Sequence, residues 1–303
     1  MTKPLETVLE GIMTKFIIRL LYLPFFIFIG NGIAIYLVSQ DYSKLWLLVL
    51  LAGFISLAFI LERMLPYDAN FNLAKGDSKR DFIHAMVNES LSLMGLLVVP
   101  IIAIINPLPA VWPIHSPLWL QVVLAVFIAD IGITLAHYAS HRIDALWRLH
   151  AVHHSIKRMY GFNGLMKHPL HQTIETICGT TPLLLLGVPQ EVLILLVVAV
   201  VLQLLLQHSN VAYFTGPFKK IWVVNEVHRF HHLNTAKEGD VNFGLFTTFT
   251  DHLLGTVYFD KKRVIGTKDL GISSEPNYPV DYMSQLLEPF RKTKPESSPQ
   301  TES

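Results

Sequence analysis

The sequence is poor in cysteine and in charge. Cys178 is the only cysteine among 303 residues, which excludes an internal disulfide, a cysteine-ligated iron–sulfur cluster and a structural zinc site of several cysteines. Only 16% of the residues are charged, fewer than a soluble enzyme of this length carries. The net charge of +1 gives no reason to expect nucleic acid as a partner. Any metal site in this chain must therefore use nitrogen and oxygen ligands.

The sequence is rich in long apolar runs. Apolar residues make up 51% of the chain, and the mean hydropathy is +0.42. The first run is too long for a cleavable signal peptide and lacks a small-residue cleavage site. The sequence predicts an all-α integral membrane protein with about four transmembrane helices plus a short helical hairpin. The four runs are Phe16–Val38, Leu45–Leu61, Leu91–Ile105 and Leu118–Leu135, and the hairpin is formed by Ile174–Gly187 and Glu191–Gln207.

Basic residues in the connecting segments predict the orientation. When the runs are drawn as four spans and one hairpin, nearly all lysines and arginines up to Lys167 fall on one side, and Lys44 falls on the other. Basic loops favour the cytoplasmic side of a membrane. The histidine-rich segments lie on that side too, so we expect a cytosolic helical cap. The Ser/Pro/Lys/Glu-rich segment from Arg291 onward predicts a disordered tail.

Eight of the 14 histidines fall into three tight clusters. Residues i, i+3 and i+4 share one face of a helix, so each cluster presents its imidazoles on one side. Imidazole suits iron, zinc and copper. Because eight imidazoles exceed the needs of one ion, the pattern favours a site for two. The clusters are HxxxH at His137 and His141, HxxHH at His150, His153 and His154, and HxxHH at His228, His231 and His232.

Other polar residues are candidates to complete this site. His208 follows the last apolar run, and a hairpin that returns to the same membrane face would deliver it as a ninth ligand. Asp130 lies in the fourth run, seven residues before His137, where we expect it to accept the ring N–H of a ligand histidine. The alternative is a hydrogen bond to a neighbouring helix. Further candidates to bind metal or to orient a ligand are His168, His171, Asp240, Asn242 and His252, whereas His84 and His115 are expected to be ordinary polar residues.

These motifs, in this order, resemble the membrane-bound fatty acid hydroxylase and sterol desaturase superfamily. The resemblance covers roughly Leu118 to Phe259. The N-terminal spans resemble those of the family only in being apolar. The chain then divides into N-terminal transmembrane helices with a cytoplasmic loop (1–117), a fatty acid hydroxylase-type catalytic domain (118–260) and a C-terminal extension (261–303). The matching motifs are Asp130 to His141, Leu146-Trp-Arg-Leu-His-Ala-Val-His-His-Ser155, His168-Pro169, His208, His228-Arg-Phe-His-His232, Asp240-Val-Asn-Phe-Gly244 and Asp251-His-Leu-Leu-Gly-Thr256.

The resemblance implies a di-iron centre on the cytosolic ends of transmembrane helices, which uses O2 as co-substrate and two electrons to attack a C–H bond of a membrane lipid. Zinc can replace iron in recombinant material. No haem or flavin motif is present, so the electrons must come from a separate donor protein. Many relatives have an acidic residue where this chain has His171, which leaves the role of that residue open. The implied ligands are His137, His141, His150, His153, His154, His208, His228, His231 and His232.

Several functions are compatible with these residues. The ligands alone do not distinguish hydroxylation of a fatty acyl or sterol-like lipid from desaturation, and we favour hydroxylation. The same site could cleave ether lipids as an alkylglycerol monooxygenase does. A histidine-rich metal-binding or metal-transport protein is the alternative from another class. We disfavour transport because Asp130 is the one candidate within a span and the histidines collect at one depth.

Overall fold

The computed structural model describes residues 5–105 and 108–291. Within these ranges the secondary structure is helical, apart from isolated β-bridges between Pro66 and Val211 and between Trp222 and Thr247, so the all-α prediction is confirmed. The tail predicted beyond Arg291 lies outside the described residues. The helices are α1 (Leu5–Pro24), a π-helical segment (Phe25–Gly30), α2 (Asn31–Ser39), α3 (Leu45–Met64), α4 (Ser78–Ile105), α5 (Leu118–Ser140), α6 (Asp144–His154), α7 (Pro169–Leu185), α8 (Gln190–Gln207), α9 (Asn225–His231), α10 (Ala236–Gly239), α11 (Phe249–Leu254) and α12 (Tyr282–Leu287).

Four helical segments in the described part of the chain are long and apolar enough to cross a membrane, which agrees with the predicted number. The predicted run Leu91–Ile105 forms the second half of α4, whose first half is polar, and much of this run lies outside the residues whose side chains the structure describes. Helix α8, expected as one arm of a short hairpin, is an uninterrupted helix of 18 residues and is one of the four. The four segments are Leu9–Ser39, Leu45–Met64, Leu118–Ser140 and Gln190–Gln207.

Helix α8 runs through the centre of the bundle, and α5 packs closely against α7. Most side chains of α8 are buried. At the α5–α7 crossing, a Cβ atom on Gly132 would lie 2.2 Å from the carbonyl oxygen of Cys178, and one on Gly179 would lie 2.8 Å from Cγ1 of Ile133. Small residues allow this close approach between helices in a membrane. The two glycines therefore fix α5, which carries the first histidine cluster, against α7.

A helical cap covers the end of the bundle where α3, α5 and α8 have their C-termini. The cap has an apolar core of its own, separate from the core of the bundle. Glu62, near the end of α3, joins the two parts because its Oε1 atom accepts the backbone N–H of Gly161 at 2.6 Å and that of Asn210 at 3.0 Å. The core of the cap includes Phe71, Val152, Ile156, Met166, Phe230 and Ile265.

His84 is not the ordinary polar residue that we expected. It lies fully buried in the first half of α4, 2.9 Å from the carbonyl oxygen of Lys167 and 3.0 Å from the side-chain oxygen of Gln285. Its ring thus joins α4 to the segment before α7 and to α12. Burial lowers the pKa of His84 to about 4.

Candidate metal centre

The cap and the ends of α5 and α8 bring all nine predicted histidines together in two adjacent groups. In each group, one ring nitrogen per histidine lies within 4.8 Å of the corresponding nitrogen of every other member. Eight of the nine residues are buried, and His141 is partly exposed. The first group is His137, His141, His150, His154 and His231, and the second is His153, His208, His228 and His232.

Each HxxHH motif is divided between the two groups. Successive residues of an α-helix are rotated by about 100°, so positions i and i+4 nearly coincide while i+3 and i+4 diverge. On α6, positions i and i+4 enter the first group and His153 enters the second. On α9 the assignment is reversed, because only His231 enters the first group. The two short helices therefore bridge the groups, and neither motif is half of a single site.

The ring protons of the first group point away from its centre. Nδ1 of His137 lies 2.7 Å from the carbonyl oxygen of Phe243, and Nδ1 of His231 lies 2.9 Å from that of Val241. A carbonyl oxygen only accepts hydrogen bonds, so each Nδ1 carries the proton and each Nε2 has a free lone pair. These two Nε2 atoms are nevertheless only 2.9 Å apart. No hydrogen bond can join two lone pairs, so the two nitrogens are free to bind a cation between them.

The second group shows the same pattern. Nδ1 of His153 lies 2.8 Å from the carbonyl oxygen of Met166, and Nδ1 of His208 lies 3.2 Å from that of Leu204. Their Nε2 atoms face each other at 3.2 Å. His208 also places Nε2 3.2 Å from Nε2 of both His228 and His232. Four buried ring nitrogens thus converge in this group as well.

The spacing of the ring nitrogens fits bound metal ions. The Nε2 atoms of the first group form a closed ring with edges of 2.9–3.0 Å through His137, His150, His154 and His231. Two nitrogens that bind one ion at right angles, each about 2.0–2.1 Å away, are about 2.9 Å apart. Nε2 of His141 is also buried and has no hydrogen-bond partner. An all-nitrogen set of this kind suits iron, zinc or copper.

Burial keeps the histidines in the form that binds metal. It lowers the pKa of His150 and His232 well below the ordinary value of 6.5 and that of His208 to about 3. Neighbouring histidines lower the pKa of the first two further because a charge on one ring opposes a charge on the next. The rings are therefore neutral at pH 7, as metal binding requires.

Asp240 is the carboxylate that orients the candidate ligand His141. Its Oδ1 atom accepts the Nδ1–H of His141 at 2.8 Å, and its other oxygen pairs with Arg142. Burial alone would raise the pKa of Asp240, but these hydrogen bonds outweigh it and lower the pKa below 3.8. Asp240 therefore stays ionised and fixes the tautomer in which Nε2 of His141 faces the first group.

The role expected of Asp130 needs correction. Its carboxylate accepts no ring N–H but instead accepts the backbone N–H groups of Leu245, Phe246 and Thr247 at 2.8–3.2 Å. Seven residues correspond to about 10.5 Å along a helix, so Asp130 shares a face with His137 but lies two turns away. Its carboxylate anchors the loop whose Phe243 carbonyl orients His137.

Asp251 anchors the same loop from the other side. It accepts the backbone N–H groups of Phe243 and Gly244 at 2.8 Å each and the hydroxyl of Thr256 at 2.6 Å. Burial raises the pKa of Asp251 above 3.8. Two buried carboxylates thus position one carbonyl oxygen, which in turn sets the tautomer of His137.

The remaining candidates lie outside both groups. Nδ1 of His168 accepts the N–H of Leu170 and caps α7, and the side chain of Asn242 binds the backbone of Val227 and Tyr258. His252 is exposed on α11. His171 is fully buried, with its ring centroid 4.4 Å from that of His150 and Nε2 2.9 Å from Oγ of Ser140. His171 therefore packs on a candidate ligand and does not join either group.

Gly164 and Gln207 belong to the site although the sequence did not single them out. A Cβ atom on Gly164 would lie 2.8 Å from Nδ1 of His208, so only glycine leaves room for that ring. The Gln207 amide nitrogen lies 3.1 Å from Nδ1 of His228 and 2.9 Å from the carbonyl oxygen of Gly244. The position of Gln207 directly before His208 was an available signal, because a buried amide at the end of an apolar run needs partners.

Two cavities lie near the histidines, and they share no lining residue. One, of about 450 Å³, is bounded by α4, α5, α7 and α8 and is lined mainly by apolar side chains. A narrower space beside the histidines shares five of its lining residues: Ile133, Lys167, Glu175, Leu204 and Leu245. The other cavity, of about 440 Å³, lies in the cap and is lined by His141, His154 and His231 among others.

Comparisons with known proteins agree with this geometry. Residues 122–256 match the profile of the family described as fatty acid hydroxylase. The chain is 30% identical over 266 residues to the ornithine lipid hydroxylase OlsE of Rhizobium tropici. The aligned region covers 84% of this chain and 78% of that protein. No solved structure matches the chain significantly.

Proposed function

The chain belongs to the fatty acid hydroxylase family, and from this premise we propose that it is a di-iron, O2-dependent hydroxylase of a membrane lipid. The reaction would convert a C–H bond and O2, with two electrons and two protons, into C–OH and water. The similarity to a lipid hydroxylase favours hydroxylation over desaturation and over ether cleavage. Lipids of the class named for that relative are the first substrates to assay.

One observation carries the proposal. Two adjacent groups of buried imidazoles, with lone pairs facing each other at 2.9–3.2 Å, lie beside the inner end of an apolar cavity in a membrane protein. A metal-transport protein would need polar groups along a path through its spans. Here the nine histidines form one compact centre at one end of the bundle, so a fixed catalytic centre explains the arrangement better.

The chain would contribute ligands, orientation and an apolar surrounding. The nine histidines would hold two iron ions, which supply the chemistry of O2 reduction and C–H oxidation when bound. The carbonyl oxygens of Phe243, Val241 and Met166 and the carboxylate of Asp240 hold the ring protons away from the centre. The apolar walls between α5, α7 and α8 would bind the lipid chain and exclude water from the reacting carbon.

Electrons would come from a separate donor protein. The sequence has no haem or flavin motif and a single cysteine, so the chain has no evident redox group of its own besides the metals. The cap cavity supports delivery from the cap side because three histidines of the first group line it. We place this cap in the cytoplasm, where basic loops favour it.

Substitution of one ligand tests the function. We expect His231→Ala to abolish reductant-dependent O2 uptake and the formation of lipid with one added oxygen, because the first group loses a nitrogen that lies 2.9–3.0 Å from two others. The control is His115→Ala, at an exposed histidine far from both groups in the sequence. The assays are oxygen electrode traces and lipid mass spectrometry on reconstituted membranes. Unchanged activity in His231→Ala would contradict the proposal.

A further inference from the structure

Part of the cap presents apolar side chains on its outer surface. Leu253 on α11 is 72% exposed, Phe249 on the same helix is 45% exposed, and Ile221 is 61% exposed. The two segments are neighbours, because the backbone N–H of Thr248 donates to the carbonyl oxygen of Ile221 at 3.2 Å. We propose that these three residues, the insertion tip, enter the bilayer among the lipid acyl chains, and that this contact helps to hold the candidate ligand His137 in its orientation. The inference concerns a lipid-contact surface of the cap and goes beyond the proposed function.

The depth of the insertion tip follows from its contact with α5. The ring of Phe249 lies 5.3 Å from that of Phe127, which is itself 39% exposed. Helix α5 has 23 residues, or about 35 Å at 1.5 Å per residue, and the hydrocarbon core of a bilayer is about 30 Å thick. Phe127 lies nine residues after Leu118, the first residue of α5, so every placement of that core within α5 includes it. Phe249 therefore reaches the level of the acyl chains.

The polar residues beside the insertion tip fit a membrane surface. Lys220 directly precedes Ile221 and is exposed, and its carbonyl oxygen accepts the hydroxyl of Thr248 at 2.7 Å. His252, next to Leu253, is exposed as well. A lysine can extend its ammonium to the lipid headgroups while its stem stays on apolar groups. Apolar residues with a lysine at their margin are typical of segments that lie in the membrane interface, whereas lysine is depleted in protein–protein interfaces. Lipid is therefore the occupant that this surface fits.

The loops next to the insertion tip have backbone groups that are satisfied by side chains of the spans. Asp130 on α5 accepts three backbone N–H groups between Leu245 and Thr247. The Gln203 amide on α8 donates to the carbonyl oxygens of Val223 and Leu245 at 2.7 and 2.8 Å. Non-helical backbone is tolerated at membrane depth only where such partners replace water. Insertion of these loops therefore explains why two apolar spans carry a buried carboxylate and a buried amide at this level.

Asp251 connects the insertion tip to the candidate metal centre. It lies on α11 together with Phe249 and Leu253. Its carboxylate accepts the backbone N–H of Phe243 at 2.8 Å. The carbonyl oxygen of Phe243 in turn lies 2.7 Å from Nδ1 of His137. Lipid contact that holds α11 in place therefore also holds the acceptor that sets the tautomer of His137.

Spin labels on the iron-loaded full chain in lipid nanodiscs test the depth of the insertion tip. In a Cys178→Ser background, one label is attached at Leu253→Cys or, as the control, at Lys268→Cys, which is exposed in the cap. We expect the label at position 253 to collide with O2, which concentrates among acyl chains, and to lose accessibility to a water-soluble nickel complex. The label at position 268 should show the opposite. Access of the nickel complex to both labels would overturn the inference. Loss of access for both reagents at position 253 would show that a protein covers the surface, and this result would overturn it too.

A charge at the same position tests the link to His137. Leu253→Glu would bring a carboxylate among the acyl chains, which is costly, whereas Leu253→Met keeps an apolar side chain of similar volume. We expect Leu253→Glu to lose iron during dialysis against a chelator that leaves the wild type and Leu253→Met loaded. On a water-facing surface all three proteins would retain iron equally, and that result would overturn the inference. If Leu253→Glu does not accumulate in membranes, the label at position 253 decides. Neither measurement depends on turnover, so their failure leaves the proposed function intact.

Discussion

At the scale of residues, the two nitrogens of several histidine rings have separate tasks. One nitrogen faces the candidate metal site, and the other is held by a backbone carbonyl or a carboxylate, as in His137, His153 and His141. In these rings the proton lies on the outer nitrogen, so the inner nitrogen offers a lone pair to a metal ion. Orientation of this kind raises metal affinity because the rings need no rearrangement on binding.

Asp240 gives a direct test of this orientation. We expect Asp240→Ala to lower the affinity of the first group for iron by roughly ten- to hundredfold, because His141 loses the acceptor of its Nδ1–H. Iron per chain after dialysis against chelators of increasing strength measures the effect. Asp144→Ala is the control, since Asp144 lines the same cap cavity but is exposed. Equal iron retention in the two variants would show that Asp240 does not orient the ligand.

The spacing of histidines predicted that the three clusters form a metal site, but not how their rings divide between two groups. Other residues of the site escaped prediction. HxxxH and HxxHH depend on local helix geometry, which a sequence displays directly. The partners of Asp130 and the close approach of Gly164 to His208 depend on segments far away in the chain. The sequence placed Asp130 on the same helical face as His137 and therefore predicted the wrong partner. A shared face gives the direction of a side chain, but it does not show that the two residues are close along the helix axis.

At the scale of elements, α6 and α9 work as bridges between the two groups. Each motif places two rings in one group and one ring in the other, and the order is reversed between them. This division could not be predicted from spacing, since it depends on how the two helices face each other across the cap. It follows that loss of either helix would disturb both groups at once.

The crossing of α5 and α7 is the element most sensitive to a single methyl group. A Cβ on Gly132 would lie 2.2 Å from the Cys178 carbonyl oxygen, so we expect Gly132→Ala to separate the helices and to cost about 1–3 kcal/mol of stability. Thermal unfolding in detergent measures it. Gly53→Ala, on α3, is the matched control because no atom lies within 4 Å of its Cβ position. We expect Gly53→Ala to be neutral or more stable by up to about 1 kcal/mol. Equal melting temperatures for Gly132→Ala and Gly53→Ala would show that the α5–α7 contact does not require a glycine at position 132.

At the scale of the whole molecule, composition predicted the membrane class but not how the apolar helices pack against one another. Long apolar runs exist because lipid-facing helices need no polar side chains. The sequence could not show that α8 is the buried centre of the bundle, since a lipid-facing and a protein-facing leucine look alike. For the same reason, the apolar cavity beside α8 became visible only in the fold.

The orientation of the whole molecule is the last prediction. Glu62, near the C-terminal end of α3, contacts the cap. Lys44 directly precedes the start of α3, a helix of 20 residues or about 30 Å, and so lies at the opposite end of the bundle. Basic loops favour a cytoplasmic cap. In a Cys178→Ser background, we therefore expect Lys44→Cys to react with a membrane-impermeant maleimide in spheroplasts, and Lys268→Cys, exposed in the cap, to react only after permeabilisation. The reverse pattern would place the metal centre and its electron donor outside the cytoplasm.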